Sequence, residues 1–457
     1  MDRAGDGTDV LRRLDEIGAR HFWVVYHNYA ALAQAKVVPA GRFAEVAAEG
    51  VTFAKANWDF TIDDHQIEHP GFGADSGDFR VVPDASTVVP IPYRPGVAQA
   101  FGRIVDDLGD PWPGDPRARL GGEVEALAGL GLTARVAFES ELILVRPTDD
   151  GWVPAERGRM FTIDEVEARW TWCAAVLDSL EAMGVAVHQL ASEYGPGQYE
   201  ISLLPTDPVT AVDRYLLARQ VIRALARDAG LVASFMPRPW TDLPSNGVHV
   251  HVSMWDADGD DAMADPATED GLSERGAAAI AGLIEHAPAQ AALGAPTPNS
   301  YKRLLPGSWA PAHVCWAFGN RSALVRVPGR GAARHVEYRM GDAAANPYLH
   351  LTGILAAMRD GILRRTTLPP PAEVDVGHLS DADALARGFR RLPLRLDVAL
   401  DALEADVVLR AALGPVISEH YLALKRFEMA TYLARADADP ATTAVTDWER
   451  TTYLEQV

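Results

Sequence analysis

The stretch VAFESELILV, Val136 to Val145, decides the fold. It is rich in β-branched and aromatic residues and predicts a strand. Side chains two apart in a strand share a face, so Glu139 and Glu141 point the same way. Three further stretches repeat the pattern. In GVHVHVSMW (247–255), His249, His251 and Ser253 share a face, with valines opposite. In HVEYRMGD (335–342), Glu337 and Arg339 share a face, with Val336 and Tyr338 opposite. In SEYGPGQYEIS (192–202), Glu193 precedes a Gly-Pro-Gly turn and Glu200 starts the strand beyond it. Any one of these reads as the alternation of a half-exposed antiparallel strand. Together they are a different matter: five carboxylates and an imidazole meet on one sheet only if something cationic holds them.

Working outward, strands alternate with long helices. VLRRLDEIGAR (10–20) has helical spacing, HFWVVYHNY (21–29) reads as a strand and RFAEVAAEGVTFAKA (42–56) as a helix. Residues 59–96 are rich in Asp, Pro and Gly and read as loops with short strands. DPWPGDPR (110–117) has the composition of a linker, and a helix follows it. Helices are expected over 164–184 and 207–230, each stopped by a glycine, and from Asn346 onward. The segment 381–436 reads as helical with a break at Gly414-Pro415. The expected class is α+β, with a large antiparallel sheet. The expected division is a small domain over 1–112 and a large one over 113–457.

The 457 residues suit two domains rather than one core. No apolar run reaches the roughly 18 residues a membrane span needs, and the first residues lack the apolar core of a secretory signal. Cys173 and Cys315 are the only cysteines, which fits a reducing, cytoplasmic setting. A formal charge of −21 argues against nucleic acid and anionic membrane as partners.

Carboxylate oxygens with few nitrogens suit Mg²⁺ or Mn²⁺ better than zinc. Arginines add a second theme: Arg303 in SYKRLLPG, Arg321 and Arg326 in NRSALVRVP, and Arg339 beside Glu337. Carboxylates, a divalent cation and several arginines together describe phosphoryl transfer. The alternative for any one arginine is a surface ion pair. No G-x-x-x-x-G-K-[ST] loop is present, so the chain is not a P-loop NTPase.

In order along the chain, FESELILV, SEYGPGQYE, NGVHVHVS, SYKRLLPG, NRSALVRVP and VEYRMGDAAANPYL resemble the glutamine synthetase family, over roughly residues 110–365. YLALKRFEMATY is similar to the family's closing helix. The resemblance implies an N-terminal β-grasp domain and a catalytic domain that holds two or three divalent cations, Mg²⁺ or Mn²⁺, with ATP as co-substrate. It implies that Glu141, Glu193 and Glu200 hold one ion, and that Glu139, His249 and Glu337 hold another near the ATP phosphates. Arg321 and Arg326 would clamp the transferring phosphate; Arg303 and Arg339 would hold the amino-acid carboxylate, with Gly247 near its amino group. His251 and Ser253 fall on the nucleotide side, and Arg334 is the best match for a basic nucleotide contact, with Arg330 close by. Rings of subunits, a hexamer or a dodecamer, are implied too, with each site at a subunit boundary.

The chain departs from the family pattern where ammonia-using members bind ammonium with two carboxylates. In the flap, PGSWAP puts Trp309 at the glutamate position. Counting back from KVVP, Asn28 falls at the aspartate position, on the side expected to face a neighbouring subunit. Ser245 replaces a family glycine in LPSNGV. A neutral amide and an indole bind NH₄⁺ poorly and suit a larger amine with an apolar body. The expected activity is therefore ATP-dependent ligation of glutamate, or a close analogue, to an organic amine, as in γ-glutamylpolyamine or γ-glutamylamide synthetases. The alternatives are an ammonia-using glutamine synthetase, a catalytically silent relative, and a metal-dependent hydrolase built on the H-x-H strand. A Trp309 that simply packs the flap is the plain structural alternative.

Overall fold

The computed structural model describes residues 3–67, 71–149, 151–329, 334–436 and 442–457. The strand that opens the argument runs over Leu132–Thr148, longer than the expected 136–145, and forms the spine of a nine-stranded sheet. Val248–Asp256 pairs along one side of it and Gln198–Leu203 along the other, both antiparallel. Val187–Ser192 follows beyond Gln198–Leu203. On the opposite side come Val336–Tyr338, Val325–Val327 and Trp316–Phe318. Only the last pair is parallel. Val232–Ser234 and Gly151–Pro154 pair with the far half of the spine. Such a sheet buries one set of alternating side chains and leaves the other for chemistry.

A six-stranded sheet occupies residues 21–105. Its order is Ala33–Pro39, His21–His27, Val97–Val105, Asp78–Pro83, Val51–Ala54, with Val89–Pro90 also on Val97–Val105. His21–His27 lies parallel to Val97–Val105 and the remaining pairs are antiparallel. The hydrophobic core is continuous from this sheet, with Val24 and Phe79, to the large one, with Val136 and Leu216. Polar contacts also join the two parts. Asn346 Nδ2 donates to the Asn28 carbonyl at 2.8 Å, and Asp59 Oδ1 lies 2.7 Å from His420 Nδ1.

Three expected elements differ. The helix read over 42–56 ends at Glu49, and Val51–Ala54 is a strand. Gly50 has φ +80°, and a Cβ there would lie 2.5 Å from the Val81 carbonyl oxygen. The chain must turn there, and Val51 and Phe53 gain more from pairing with Asp78–Pro83 than from helix. The helix read over 164–184 is two, Ile163–Ala168 and Trp170–Ala182, meeting at Arg169. The segment 381–436 holds four helices and a two-residue strand, Arg390–Arg391, with the expected break at Gly414. Helices Glu274–Glu285 and Ala287–Gly294, rich in alanine and weak in pattern, were not expected. Glu274–Glu285 packs against Pro347–Arg364 through Gly282 and Gly361, where a Cβ on either would collide with a carbonyl of the other helix. Among the described residues no single helix is long and apolar enough to cross a membrane.

Candidate active site

Strand register assembles the site. Glu139 stands opposite Ser202 on one neighbour and His249 on the other. Glu141 stands opposite Glu200, and Glu337 stands opposite both His251 and Arg326. A row of charged and polar side chains therefore crosses five strands on one face. A period-two pattern in each strand and a fixed register between them suffice to produce it.

His249 Nδ1 lies 2.7 Å from Glu139 Oε1 and 3.6 Å from Glu337 Oε1. Glu337 is only 1% exposed, and it accepts from Arg326 Nη1 at 2.6 Å and from Arg339 Nη1. Burial works to raise the Glu337 carboxyl, but His249, Arg339, His251 and Arg326 outweigh it and hold it at about 2. Glu139 is likewise held below the usual carboxylate range: burial opposes this, and the hydrogen bonds of His249 and His251 prevail. Burial, followed by the charge of Arg339, lowers His249 to about 4. On the other side the balance reverses. Burial and the neighbouring Glu141 push Glu193 up to about 7; burial and then Glu139, Glu141 and Glu193 push Glu200 up to about 9. Burial and mutual repulsion among Glu141, Glu193 and Glu200 act in the same direction.

These residues fit divalent cations. Single donor atoms of Glu139, His251 and Glu337 lie within 4.8 Å of one another, and the donor set is mostly oxygen. They also fit an anionic substrate, because among the described residues the buried Nε atoms of Arg326 and Arg339 have no hydrogen-bond partner.

A cavity of about 670 Å³ opens over the row. Glu139, Glu141, Glu193, Glu200 and His249 form its floor; Arg303, Arg321 and Arg339 stand around it; Trp309 closes part of its mouth. Arg303 is buried and donates to the carbonyls of Met340 at 2.9 Å and Arg339 at 3.1 Å. Its guanidinium packs so closely on Gly247 that no Cβ fits there. Trp309 is 75% exposed, so it does not pack the flap, and it holds φ +63°. Its carbonyl accepts from Arg339 Nη2 at 3.2 Å, which ties the flap to the site.

His251 borders the row, while Ser253, Arg334 and Asn28 lie farther from it. His251 Nδ1 is 3.0 Å from His335 Nε2, while its Nε2 is 3.8 Å from Glu139 Oε2. Ser253 accepts the Trp255 indole N–H at 3.0 Å. Arg334 sits over the Phe318 ring at 4.9 Å and donates to the Asp270 carbonyl. Arg330 lies outside the described residues. Asn28 is not brought to the cavity: it is 0% exposed and its Oδ1 accepts from the Leu32 N–H at 3.0 Å. An amide enclosed by its own chain presents no atom to a neighbouring subunit.

The sequence reading missed Met160, Phe161, Tyr194, Leu243 and Pro244, which also line the cavity. Tyr194 follows Glu193 directly, which is a usable signal. Met160 and Phe161 lie in an irregular segment with none.

Comparison with known proteins agrees with this arrangement. Residues 113–453 match the glutamine synthetase catalytic domain. The chain is 36% identical over 391 residues to a glutamine synthetase of Methanocaldococcus jannaschii, covering 84% of each chain. It is 34% identical over 440 residues to a glutamate–methylamine ligase of Methyloversatilis universalis, covering 93% of each. It is 35% identical over 411 residues to a γ-glutamylpolyamine synthetase of Streptomyces coelicolor, covering 88% of each. Among solved structures, a chain described as a GmaS/ADP complex superposes with a TM-score of 0.85 at 30% identity, covering 97% of this chain and 99% of that one. With its fold, its row of carboxylates and these likenesses taken together, the chain belongs to the glutamine synthetase family.

Proposed function

We propose that the protein joins the γ-carboxylate of glutamate, or a close analogue, to an organic amine at the expense of ATP. One observation carries this reading: an indole, Trp309, stands at the mouth of a cavity whose floor is Glu139, Glu141, Glu193, Glu200 and His249. The floor suits phosphoryl transfer, and the flap position where a carboxylate would trap ammonium carries Trp309 instead.

The chemistry divides into two displacements. A γ-carboxylate oxygen attacks the γ-phosphorus of ATP, the bond to ADP breaks, and γ-glutamyl phosphate forms. The amine nitrogen, as its free base, then attacks the acyl carbon, and phosphate leaves with the former carboxylate oxygen. Activation is needed because a carboxylate is a poor electrophile. Two or three Mg²⁺ or Mn²⁺ ions, held by Glu141, Glu193 and Glu200 and by Glu139, His249 and Glu337, would supply charge neutralisation at the phosphates. His251 is placed to share the second group. Arg321 and Arg326 would face the transferring phosphate, and Arg339 the substrate carboxylate, each in a partly dry site where fixed charge acts strongly. Arg303 would shape that subsite through Gly247. His251, Ser253 and Arg334 are the proposed nucleotide side. The flap would exclude water, which would otherwise hydrolyse the acyl phosphate.

We further propose the division at 1–112 and 113–457, assembly into a hexameric ring or dodecamer, and a cytoplasmic setting. The deciding experiment is ADP release with ATP, Mg²⁺ and glutamate, with an organic amine against ammonium, and mass spectrometry of the γ-glutamyl amide. The second reading, glutamine synthesis, is favoured by the 36% identity to a glutamine synthetase. Robust turnover with ammonium at low millimolar concentration would establish it instead.

A further inference from the structure

The mouth of the cavity carries more apolar surface than a small amine can use. Met160, Phe161, Tyr194 and Trp309 all line the cavity and are all at least half exposed. Leu243 and Pro244 continue the same wall. Four separate segments supply these side chains, and close contacts tie two of them to their surroundings. The loop that bears Phe161 lies against the turn that follows Tyr194: a Cβ on Gly158 would stand 2.5 Å from Pro196 Cα. Across the mouth, Arg339 holds the Trp309 carbonyl. Phe161 and Trp309 both adopt left-handed backbone, φ +56° and +63°. That conformation is uncommon for bulky residues and clusters at ligand clamps.

The charges at the mouth offer little to a second cation. Among the described residues that line the cavity, Asp242 is the one carboxylate outside the floor. It is exposed and faces the attraction of Arg238, whose Nη atoms donate to the Lys302 and Thr241 carbonyls. An inner ammonium of a polyamine would lose water against this wall and gain in return only one exposed carboxylate, Asp242, whose charge Arg238 already attracts. A hydrocarbon body loses nothing, and concave apolar surface beside a polar floor is how binding sites sort ligands by body.

We propose that this rim is the specificity element of the amine site, with Phe161 and Trp309 as its two jaws. It selects primary amines with an extended alkyl or arylalkyl body over ammonium, methylamine and polyamines. The inference rests on the ligase reading given above. The nitrogen enters toward the carboxylate floor, and the carbon body lies between the jaws.

The test is ADP release by the full-length protein with ATP, Mg²⁺ and glutamate, across ammonium, methylamine, butylamine, hexylamine, phenethylamine, putrescine and spermidine. From methylamine to hexylamine, kcat/KM should climb about three- to fourfold per buried methylene. Phenethylamine should rank with hexylamine, and putrescine below butylamine. Phe161→Ala should lower kcat/KM for hexylamine about tenfold and flatten the series, and Phe161→Leu should restore much of the slope. A flat or falling series overturns the proposal while leaving the ligase intact. So does putrescine or spermidine above butylamine, since the aromatic faces then serve a cation. If Phe161→Ala changes the assembled mass by light scattering but not the slope, the rim is a subunit contact and the proposal falls. No ADP release with any amine overturns the ligase reading, and this proposal with it.

Discussion

Glu141 and Gly247 bind each other across two segments of chain: the Gly247 N–H donates to Glu141 Oε2 at 2.6 Å, and the Glu141 N–H donates to the Gly247 carbonyl at 2.9 Å. Arg303 packs on the other side of Gly247 and leaves no room for a Cβ. A methyl group at 247 must therefore displace either the floor or the arginine. Gly247→Ala should lower kcat/KM for glutamate at least tenfold with little loss of melting temperature. Steady-state kinetics with glutamate varied, beside a thermal melt, will check it.

Glu337 is the shared acceptor of two arginines and is almost wholly buried. Glu337→Gln keeps the shape but removes the charge that holds Arg326 and Arg339 in place. Truncating one partner of a buried pair leaves uncompensated charge, a loss of about 3–5 kcal/mol in typical cases. The variant should lose ADP release by two orders of magnitude or more and melt several degrees lower. Activity near that of the parent would remove Glu337 from the site.

Trp309 is exposed, so its replacement tests function with little effect on the fold. Trp309→Glu should raise the ratio of ammonium to organic-amine turnover. Asn28→Asp should not help, because the side chain is enclosed and a full charge there would be buried with a single backbone N–H, that of Leu32, donating to it. It should instead lower the melting temperature. Competition assays with both nitrogen sources will separate the two, and no ammonium gain in Trp309→Glu would show the flap assignment to be wrong.

His286 is buried with Nδ1 2.6 Å from Asp406 Oδ2 and Nε2 3.2 Å from Asp360 Oδ2. Burial alone would lower its pKa, but the two carboxylates outweigh it and raise it above the ordinary value. A raised folded value contributes stability that is complete below the unfolded value of about 6.5 and is lost as pH rises through the folded one. Asp406, lowered against burial by its bond to His286, loses its share only in acid. The melting temperature should therefore fall from pH 6 upward, by roughly 1 °C for each kcal/mol in a chain of this length. His286→Gln should flatten that profile in melts across pH 6–9.

The floor of the site was legible because it lies on strands. Glu139, Glu141, His249 and Glu337 are set by a period of two, and register then brings them together. The mouth was only half legible. Trp309 was visible as an odd indole in a loop, whereas Phe161 and Met160 sit in irregular chain where no period operates. Asn28 was placed by counting back through a turn, and counting cannot tell whether a side chain faces outward or into its own core. Gly50 shows the same limit for the fold: a helical run of small residues stopped where backbone from a distant strand came close.

The long strand Leu132–Thr148 is braced by four partners, while Trp309 and Phe161 stand on loops with their side chains in solvent. Substitution of the first kind of residue threatens the whole molecule; substitution of the second kind is expected to change the choice of nitrogen donor and little of the fold. Chemistry and preference are thus inherited on separable parts of the chain. On the proposed reading, a change of amine needs loop substitutions alone and leaves the strands that carry the floor untouched.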